Sequence, residues 1–596
     1  MFMDRDSVGR EPGGQVARSV GEEAARILGY VVRCDGSRAS IATTSAGGLS
    51  HENGQWSVGK FISISLPVGR TVGLVYNVEV DGVWHEGADN RMLVHVELIG
   101  EVRDREGQPP LFDRGITQYP HIGAIAHRIR QRDLAAVYRL GGSDTVAIGA
   151  LSQDEGVVAH ISMNRTLDRH FAVVGSTGVG KSTAVSLLLH KALAARPNLR
   201  VVIFDPHNEF AAAFHDQAAI LDANTLDLPF WMFRLEELVE VIYRGREGVP
   251  EEVDLLRDLI ALSKMEYRGA SGVSLRRSSD SSSITADTPV PYRMADLMRL
   301  LDERMGMLDT RNERPAYRSL KMRLEAAVRD PRFRFMFGSR IIEDTITDAI
   351  GRIFRVPING RPVTCFQMAG MPSEVVNSVC SVLARLAFDM CVWSGGRIEL
   401  LMLCEEAHRY MPADQRLGFA PTRHALARIA KEGRKYGCYL GVVTQRPGEL
   451  DPTILSQCST IFAMRLSNDQ DQAIIRSALA DSSASALAFL SSMGQREAIA
   501  FGDGVATPMR MKFAHLPPSE IPGSAVTSKR EQDGEAGLDL AMIVDRMRHG
   551  GRDTLQEETL HSGPMVEQRA SIASLSTVHP DEPSRFERRR DGKLFG

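Results

Sequence analysis

The stretch Phe171-Ala-Val-Val-Gly-Ser-Thr-Gly-Val-Gly-Lys-Ser182 decides the fold. Phe171 to Val174 are apolar and β-prone. A glycine-rich turn follows, and Leu187, Leu188 and Leu189 carry a helix that opens at Lys181. Gly175, Gly180, Lys181 and Ser182 fill the pattern G-x-x-x-x-G-K-[ST]. The chemistry asks for these residue types. Glycines let backbone N–H groups close on phosphate oxygens where a Cβ would block the approach. The helix start adds free N–H groups and a positive dipole end. Lys181 reaches β- and γ-phosphates, and the Ser182 hydroxyl ligates Mg²⁺. The expected phosphate cradle is Gly175, Ser176, Thr177, Gly178, Val179, Gly180, Lys181, Ser182 and Thr183, with ATP and Mg²⁺ as cofactors.

Working outward, Arg200-Val-Val-Ile-Phe-Asp205 reads as a second buried strand with an acid at its C-terminal end, where open α/β sheets place their ligands. Leu400-Leu-Met-Leu-Cys-Glu405-Glu406 is a third, ending in two carboxylates. Beside a phosphate loop, the first acid suits Mg²⁺ and the second suits polarising a water. Val442-Val-Thr444-Gln445 carries a polar tip able to sense a γ-phosphate. Arg428, Lys431, Arg434 and Lys435 form a basic cluster. It reads either as a solvated helix face or as the source of an arginine finger for a neighbouring subunit.

The chain of 596 residues is too long for one core. Its net charge of −4 supplies no global basic field, so contact with nucleic acid must come from a local patch or a shared pore. The seven cysteines show no C-x-x-C pair and mostly sit in apolar runs, which points to buried thiols rather than disulfides or a metal site. The N-terminus carries Asp4, Asp6 and Glu11 and lacks a signal-peptide core. No membrane span is expected, since Arg385 and Asp389 interrupt the Cys380–Trp393 region, and a cytoplasmic protein follows.

The expected organisation is a flexible start with a short helix near Glu22–Leu28 (1–27), a small β-barrel (28–130), an α/β core in two parts (145–228 and 351–517), a helical insertion (229–350) and a mostly mobile tail (518–596). The barrel rests on the Asp35-Gly36 hairpin turn, the β-rich runs 58–66 and 72–80, and Val94, Val96 and Leu98 alternating inward against His95 and Glu97. Leu235, Leu238, Val239 and Ile242 keep helical spacing in the insertion. Ser278 to Thr288 reads as a polar loop, and Arg585 to Arg590 as a solvated charge run.

Taken together these residues resemble the HerA branch of the HerA–FtsK superfamily of ring-shaped DNA-pumping ATPases, over about residues 28–517. The resemblance is carried by Arg169-His170, Gly175 to Ser182, Asp205-Pro-His-Asn-Glu209, Glu405-Glu-Ala-His408, Gly433-Arg-Lys-Tyr-Gly437, Thr444-Gln-Arg-Pro447 and Arg465-Leu-Ser-Asn468. It implies a RecA-like P-loop ATPase core with an N-terminal small β-barrel of the kind shared with rotary ATP synthases, and an inserted helical subdomain. By position it implies Glu406 acting on the attacking water, Glu405 at the metal, Gln445 as sensor, Arg434 as the finger in trans, Arg169 as a second arginine near the phosphates, and Asp205 at the neighbouring strand tip. Asn208 departs from the family's usual glycine, and asparagine tolerates positive φ best after glycine. The resemblance further implies a homo-hexamer with duplex DNA in its pore, Pro412 to Arg423 (with Arg416 and Arg423) as a pore loop, and a separate nuclease or effector, NurA-like or sirtuin-like, docking on the barrel. A conjugation- or secretion-type motor and a non-catalytic ATP-binding scaffold are the alternatives.

Overall fold

The computed structural model describes residues 27–44, 56–86, 89–105, 107–222, 225–270, 284–307, 313–337, 344–478, 489–523 and 544. The expected flexible start, most of the 278–288 loop, the tail beyond 523 and its arginines lie outside the described residues. Ile27 and Leu28, expected at the end of a helix, instead open a strand.

Seven strands form the first sheet: β1 (Ile27–Cys34), β2 (Arg38–Thr44), β3 (Phe61–Ser65), β4 (Arg70–Val80), β5 (Arg91–Arg105), β6 (Gln108–Asp113) and β7 (Ile125–Arg128). Their order is β2-β1-β7-β3-β4-β5-β6, and β2 also pairs with β5. That extra pairing closes six antiparallel strands into a barrel and leaves β6 as an appendage on β5. Closure removes the free edges that an open sheet would expose. Val94, Val96 and Leu98 of β5 point into the barrel core with Val31, Ile41 and Ile64, as the alternation predicts.

The second sheet has eleven strands. These are β8 (Thr145–Leu151), β9 (Val158–Ser162), β10 (Phe171–Val174), β11 (Leu199–Asp205), β12 (Ala218–Leu221), β13 (Val363–Gln367), β14 (Glu399–Cys404), β15 (Cys438–Thr444), β16 (Thr460–Ala463), β17 (Glu497–Gly502) and β18 (Met509–Phe513). The order is β12-β13-β11-β14-β15-β10-β16-β17-β18-β8-β9. β12 to β16 in that order pair in parallel, and the last four strands extend the sheet in antiparallel fashion. The central strands are apolar on both faces because helices cover both, so they read as unbroken hydrophobic runs.

β12 and β13 are hydrogen-bonded neighbours although more than a hundred residues of chain separate them. The helices Leu235–Tyr243, Pro250–Ala270, Met294–Gly306 and Arg314–Arg329 fill that interval. The helix Ile346–Ile353 runs across the expected boundary at 350. Ile353 and Phe354 are fully buried and the Thr364 hydroxyl of β13 donates to the Ile353 carbonyl at 2.8 Å, which ties this last helix to the sheet.

One expectation is corrected. The helix Ser373–Trp393 is long and apolar enough to cross a membrane by length and composition, despite Arg385 and Asp389. Here two thirds of its apolar window is buried against the sheet and the inserted helices. Arg385 is neutralised inside the protein by Glu237 at 2.9 Å, with side chains 10% and 3% exposed. No other described helix meets that length and composition. All seven cysteines are free, and six of them are buried.

Candidate active site

The parallel strands end together, and their C-terminal edge collects the expected residues. Gly175 follows β10, Gln445 follows β15, Glu405 and Glu406 follow β14, and Asp205 ends β11. β15 lies between β10 and β14, so Gln445 stands between the phosphate loop and the two glutamates.

The loop itself is built for an anion. Gly178 and Gly180 hold φ of 76° and 97°, which only glycine takes at little cost, and the space a Cβ of Gly178 would enter is open. Ser176 N donates to the Arg465 carbonyl at 2.8 Å, and Arg496 N to the Val179 carbonyl at 2.9 Å, so both flanks of the loop are pinned. The Lys181 ammonium donates to the Ser176 carbonyl at 2.8 Å, folded back onto the loop it would leave for a phosphate. Burial lowers its pKa, and Glu406, Glu405 and Glu209 oppose that shift.

Gln445 joins the two halves of the site. It accepts from the Thr177 hydroxyl, and its amide donates to Glu406 Oε1 at 2.7 Å. Glu406 has φ 49° and is only 7% exposed. Its second oxygen, Oε2, has no hydrogen-bond partner. His408 Nδ1 lies 3.5 Å from Oε2, and His207 Nε2 3.9 Å from Oε1. A buried carboxylate oxygen without a donor is an expensive arrangement. It suits a group that must accept a proton from a water.

Glu405 is 4% exposed and its Oε2 is likewise unpartnered. Burial first, then the carboxylates of Asp205, Glu209 and Glu406, push its pKa up to about 9. Asp205, expected to take part directly, is fully buried, and its carboxylate accepts from the backbone N–H groups of His207, Glu209 and Phe210 at 3.3, 3.2 and 2.9 Å. It organises the turn after β11 and raises the proton affinity of Glu405. Asn208 adopts φ 57° in that turn, and its side-chain oxygen accepts from Ala369 N at 3.2 Å. The asparagine thus reaches the positive φ and adds a tether to the loop after β13.

Orphaned carboxylate oxygens, an open glycine cradle and a lysine folded onto that cradle fit a nucleoside triphosphate with Mg²⁺. Lys181 and the loop N–H groups would hold the phosphates, and Ser182 with Glu405 would hold the metal. Bound Mg²⁺ would supply charge neutralisation to the β- and γ-phosphate oxygens. Among the described residues no cluster of three or more His, Cys, Asp or Glu is arranged for a metal of its own.

The raised pKa of Glu405 gives a pH prediction. The folded chain retains a proton that the unfolded chain releases between the ordinary 4.5 and about 9. The stabilisation is therefore complete below 4.5 and is lost as pH rises through 9. Melting temperature of the nucleotide-free chain should fall across that window, and Glu405→Gln, neutral throughout, should flatten the fall.

Arg434 and Arg169 are elsewhere. Arg169 precedes β10 and Arg434 precedes β15, so both sit at the N-terminal edge of the sheet. At about 3.3 Å per residue, the four residues of β10 and the turns at its ends separate Arg169 from the phosphate loop by on the order of 15–20 Å. The expectation of Arg169 near the phosphates fails within one chain because a strand is straight and its two ends cannot meet. Arg165, Asp168, Arg169, Arg434 and Asp503 instead line one cleft of about 320 Å³, where Arg169 pairs with Asp503.

Two residues near the site were given no role from sequence. His170, with φ 60°, is buried; its Nε2 meets the Ala430 carbonyl at 3.0 Å and its Nδ1 accepts from Leu440 N at 2.9 Å. It pins the Arg169 turn to the segment bearing Arg434, and burial lowers its pKa to about 4, so it stays neutral. Its place in the Arg169-His170 pair was the available signal. Arg496 packs beside Gly180 and bonds His515 at 2.7 Å, and no local pattern marks it.

The family described as "Helicase HerA, central domain" matches residues 146–387, from β8 to the core helix behind β14. The DNA double-strand break repair helicase HerA of Pyrococcus furiosus is 24% identical over 77% of this chain and 83% of its own length. The chain resembles the HerA helicases. The HerA of Saccharolobus solfataricus is 25% identical over 66% of this HerA-like chain and 73% of its own. Among solved structures, VirB4 of Thermoanaerobacter pseudethanolicus overlays with a TM-score of 0.46 and 14% identity, covering 64% of this chain and 99% of that one.

Proposed function

We propose that this HerA-like chain is one subunit of a homo-hexameric ring that couples ATP hydrolysis to movement along double-stranded DNA. The observation that carries the ring is the division of the site. Phosphate loop, Glu405, Glu406 and Gln445 occupy one edge of the sheet, and the arginine cleft occupies the other. A single chain cannot bring Arg434 to its own Lys181, whereas neighbours in a closed head-to-tail ring can. In this reading Lys181 and the loop N–H groups bind the phosphates. Glu406 takes the proton from the attacking water, Gln445 orients that water, and the neighbour's Arg434, with Arg169 beside it, offsets charge on the phosphoryl group.

The duplex as substrate is supported by the relatives, which are named for DNA double-strand break repair. A ring also answers the net charge of −4, because one or two basic residues repeated around an axis make a local positive field. Exposure supports the segment 412–423 in that part: Ala413 to Gly418 are exposed, Arg416 and Leu417 among them. We assign the finer role as DNA end processing or anti-phage defence with a separate nuclease or effector, docking on the barrel. The free cysteines fit a reducing, cytoplasmic setting.

ATP turnover by the full-length chain, measured with linear duplex, single-stranded DNA and neither, tests the reading. Duplex should raise the rate several-fold, by about 1 kcal/mol or more of coupling. No rise with duplex would overturn it.

A further inference from the structure

Hydrogen bonds run from the base of the 412–419 loop, whose residues 413–418 are exposed, to His408, which stands 3.5 Å from Glu406 Oε2. The loop leaves the three-residue turn Ala407–Arg409, and an antiparallel bridge between Pro412 and Leu450 stitches its base to the segment after β15. Ala413 N donates to the Glu449 carbonyl at 2.8 Å, and Asp451 N to the Met411 carbonyl at 2.9 Å. That segment runs back through Pro447 and Arg446 to Thr444, whose hydroxyl oxygen accepts from Arg446 N at 3.1 Å. The same hydroxyl oxygen lies 3.1 Å from His408 Nδ1. His408 Nδ1 is in turn 3.5 Å from the unpartnered Oε2 of Glu406.

His408 Nδ1 therefore faces two acceptors that compete for one N–H. A carboxylate beside Nδ1 favours the tautomer with the proton there. At 3.1 Å the bond to Thr444 is made, and at 3.5 Å the bond to Glu406 is not. A shift of a few tenths of an ångström in β15 or the loop base exchanges the two. The exchange decides whether the buried Glu406 Oε2 meets a donor or stays open to a water.

We propose that His408 is a positioning residue that couples the 412–419 loop to catalysis, by sharing its Nδ1–H between Thr444 Oγ1 and Glu406 Oε2 according to the position of the loop. With the Nδ1–H donated to Thr444, Glu406 Oε2 is open to a water; with the N–H donated to Glu406, that oxygen is occupied. The inference rests on the reading that the loop meets duplex DNA.

The test measures ATP turnover with and without linear duplex for the unaltered chain, His408→Ala, His408→Asn and Thr444→Val. In His408→Ala the ratio of stimulated to basal rate should drop by about five-fold or more, with little change in KM for ATP. His408→Asn, whose amide donates from the Nδ1 position, should restore most of the ratio. Thr444→Val, close in shape, should lower the ratio as His408→Ala does, which serves should His408→Ala fail to fold. An unchanged ratio in His408→Ala, equal loss of basal and stimulated rates, or His408→Asn behaving as His408→Ala would each overturn the proposal. Absence of stimulation in the unaltered chain would instead overturn the duplex reading on which it stands.

Discussion

Glu406→Gln should lower ATP hydrolysis by about 10²–10⁴-fold, the range general-base removal costs, while nucleotide affinity stays close to that of the unaltered chain. The substitution is nearly isosteric. The amide oxygen still accepts from Gln445 Nε2, as Glu406 Oε1 does at 2.7 Å, so the bridge from Thr177 through Gln445 survives. What is lost is the orphaned Oε2 on the Gln445 side of the site, a buried atom able to take a proton without breaking an existing hydrogen bond of its own. Binding depends on Lys181 and the glycine loop, which Glu406 does not touch. Single-turnover hydrolysis alongside equilibrium binding of ATP separates the two quantities. A variant that hydrolyses at the unaltered rate would show that the proton goes elsewhere.

The second large effect is expected at Arg434. Removing a finger that stabilises transition-state charge costs about 10³-fold or more, so Arg434→Ala should fall close to inactivity while still binding ATP. Action between subunits has a sharper signature than the loss itself. Rings mixed from Glu406→Gln and Arg434→Ala subunits contain interfaces where an intact Glu406 meets an intact Arg434 from the neighbour. Such rings should hydrolyse ATP well above either variant alone. If Arg434 acted within its own chain, every site would lack one of the two groups and mixing would restore nothing. The cleft around Arg434 also holds Asp503, which keeps Arg169 paired in the single chain, and Asp168, which pairs with Arg196.

Local chemistry made much of this legible. The phosphate loop is contiguous in sequence, and glycine's φ range and the apolar run before it specify strand, turn and helix without distant contacts. Glu405, Glu406 and Gln445 could be named because each directly follows an apolar run read as a strand, and parallel strands put their C-terminal ends on one edge. Asn208 reached its positive φ because asparagine permits it. Asp205 was harder: a strand-tip acid reads as catalytic until its backbone partners are seen, and those N–H groups show it holding a turn. The core helix 373–393 shows the converse, since Arg385 interrupts an apolar run in sequence and pairing with Glu237 accommodates it in the fold.

The sequence by itself therefore determined which residue types are available and on which strand each one ends, because backbone stereochemistry and the burial of apolar runs are local. Only the tertiary structure decided distances across strands. It brought Glu406, Gln445, Thr177 and His408 together from separate segments, since neighbouring parallel strands lie about 4.8 Å apart whatever their separation in the chain. It carried Arg169 away from Lys181, twelve positions along the sequence, because a strand of β10's length lies between its two ends. Closeness in sequence fixes the order of groups along a strand, and closeness in space is set by how the strands stack, so the site had to be assembled by the sheet before it could be read.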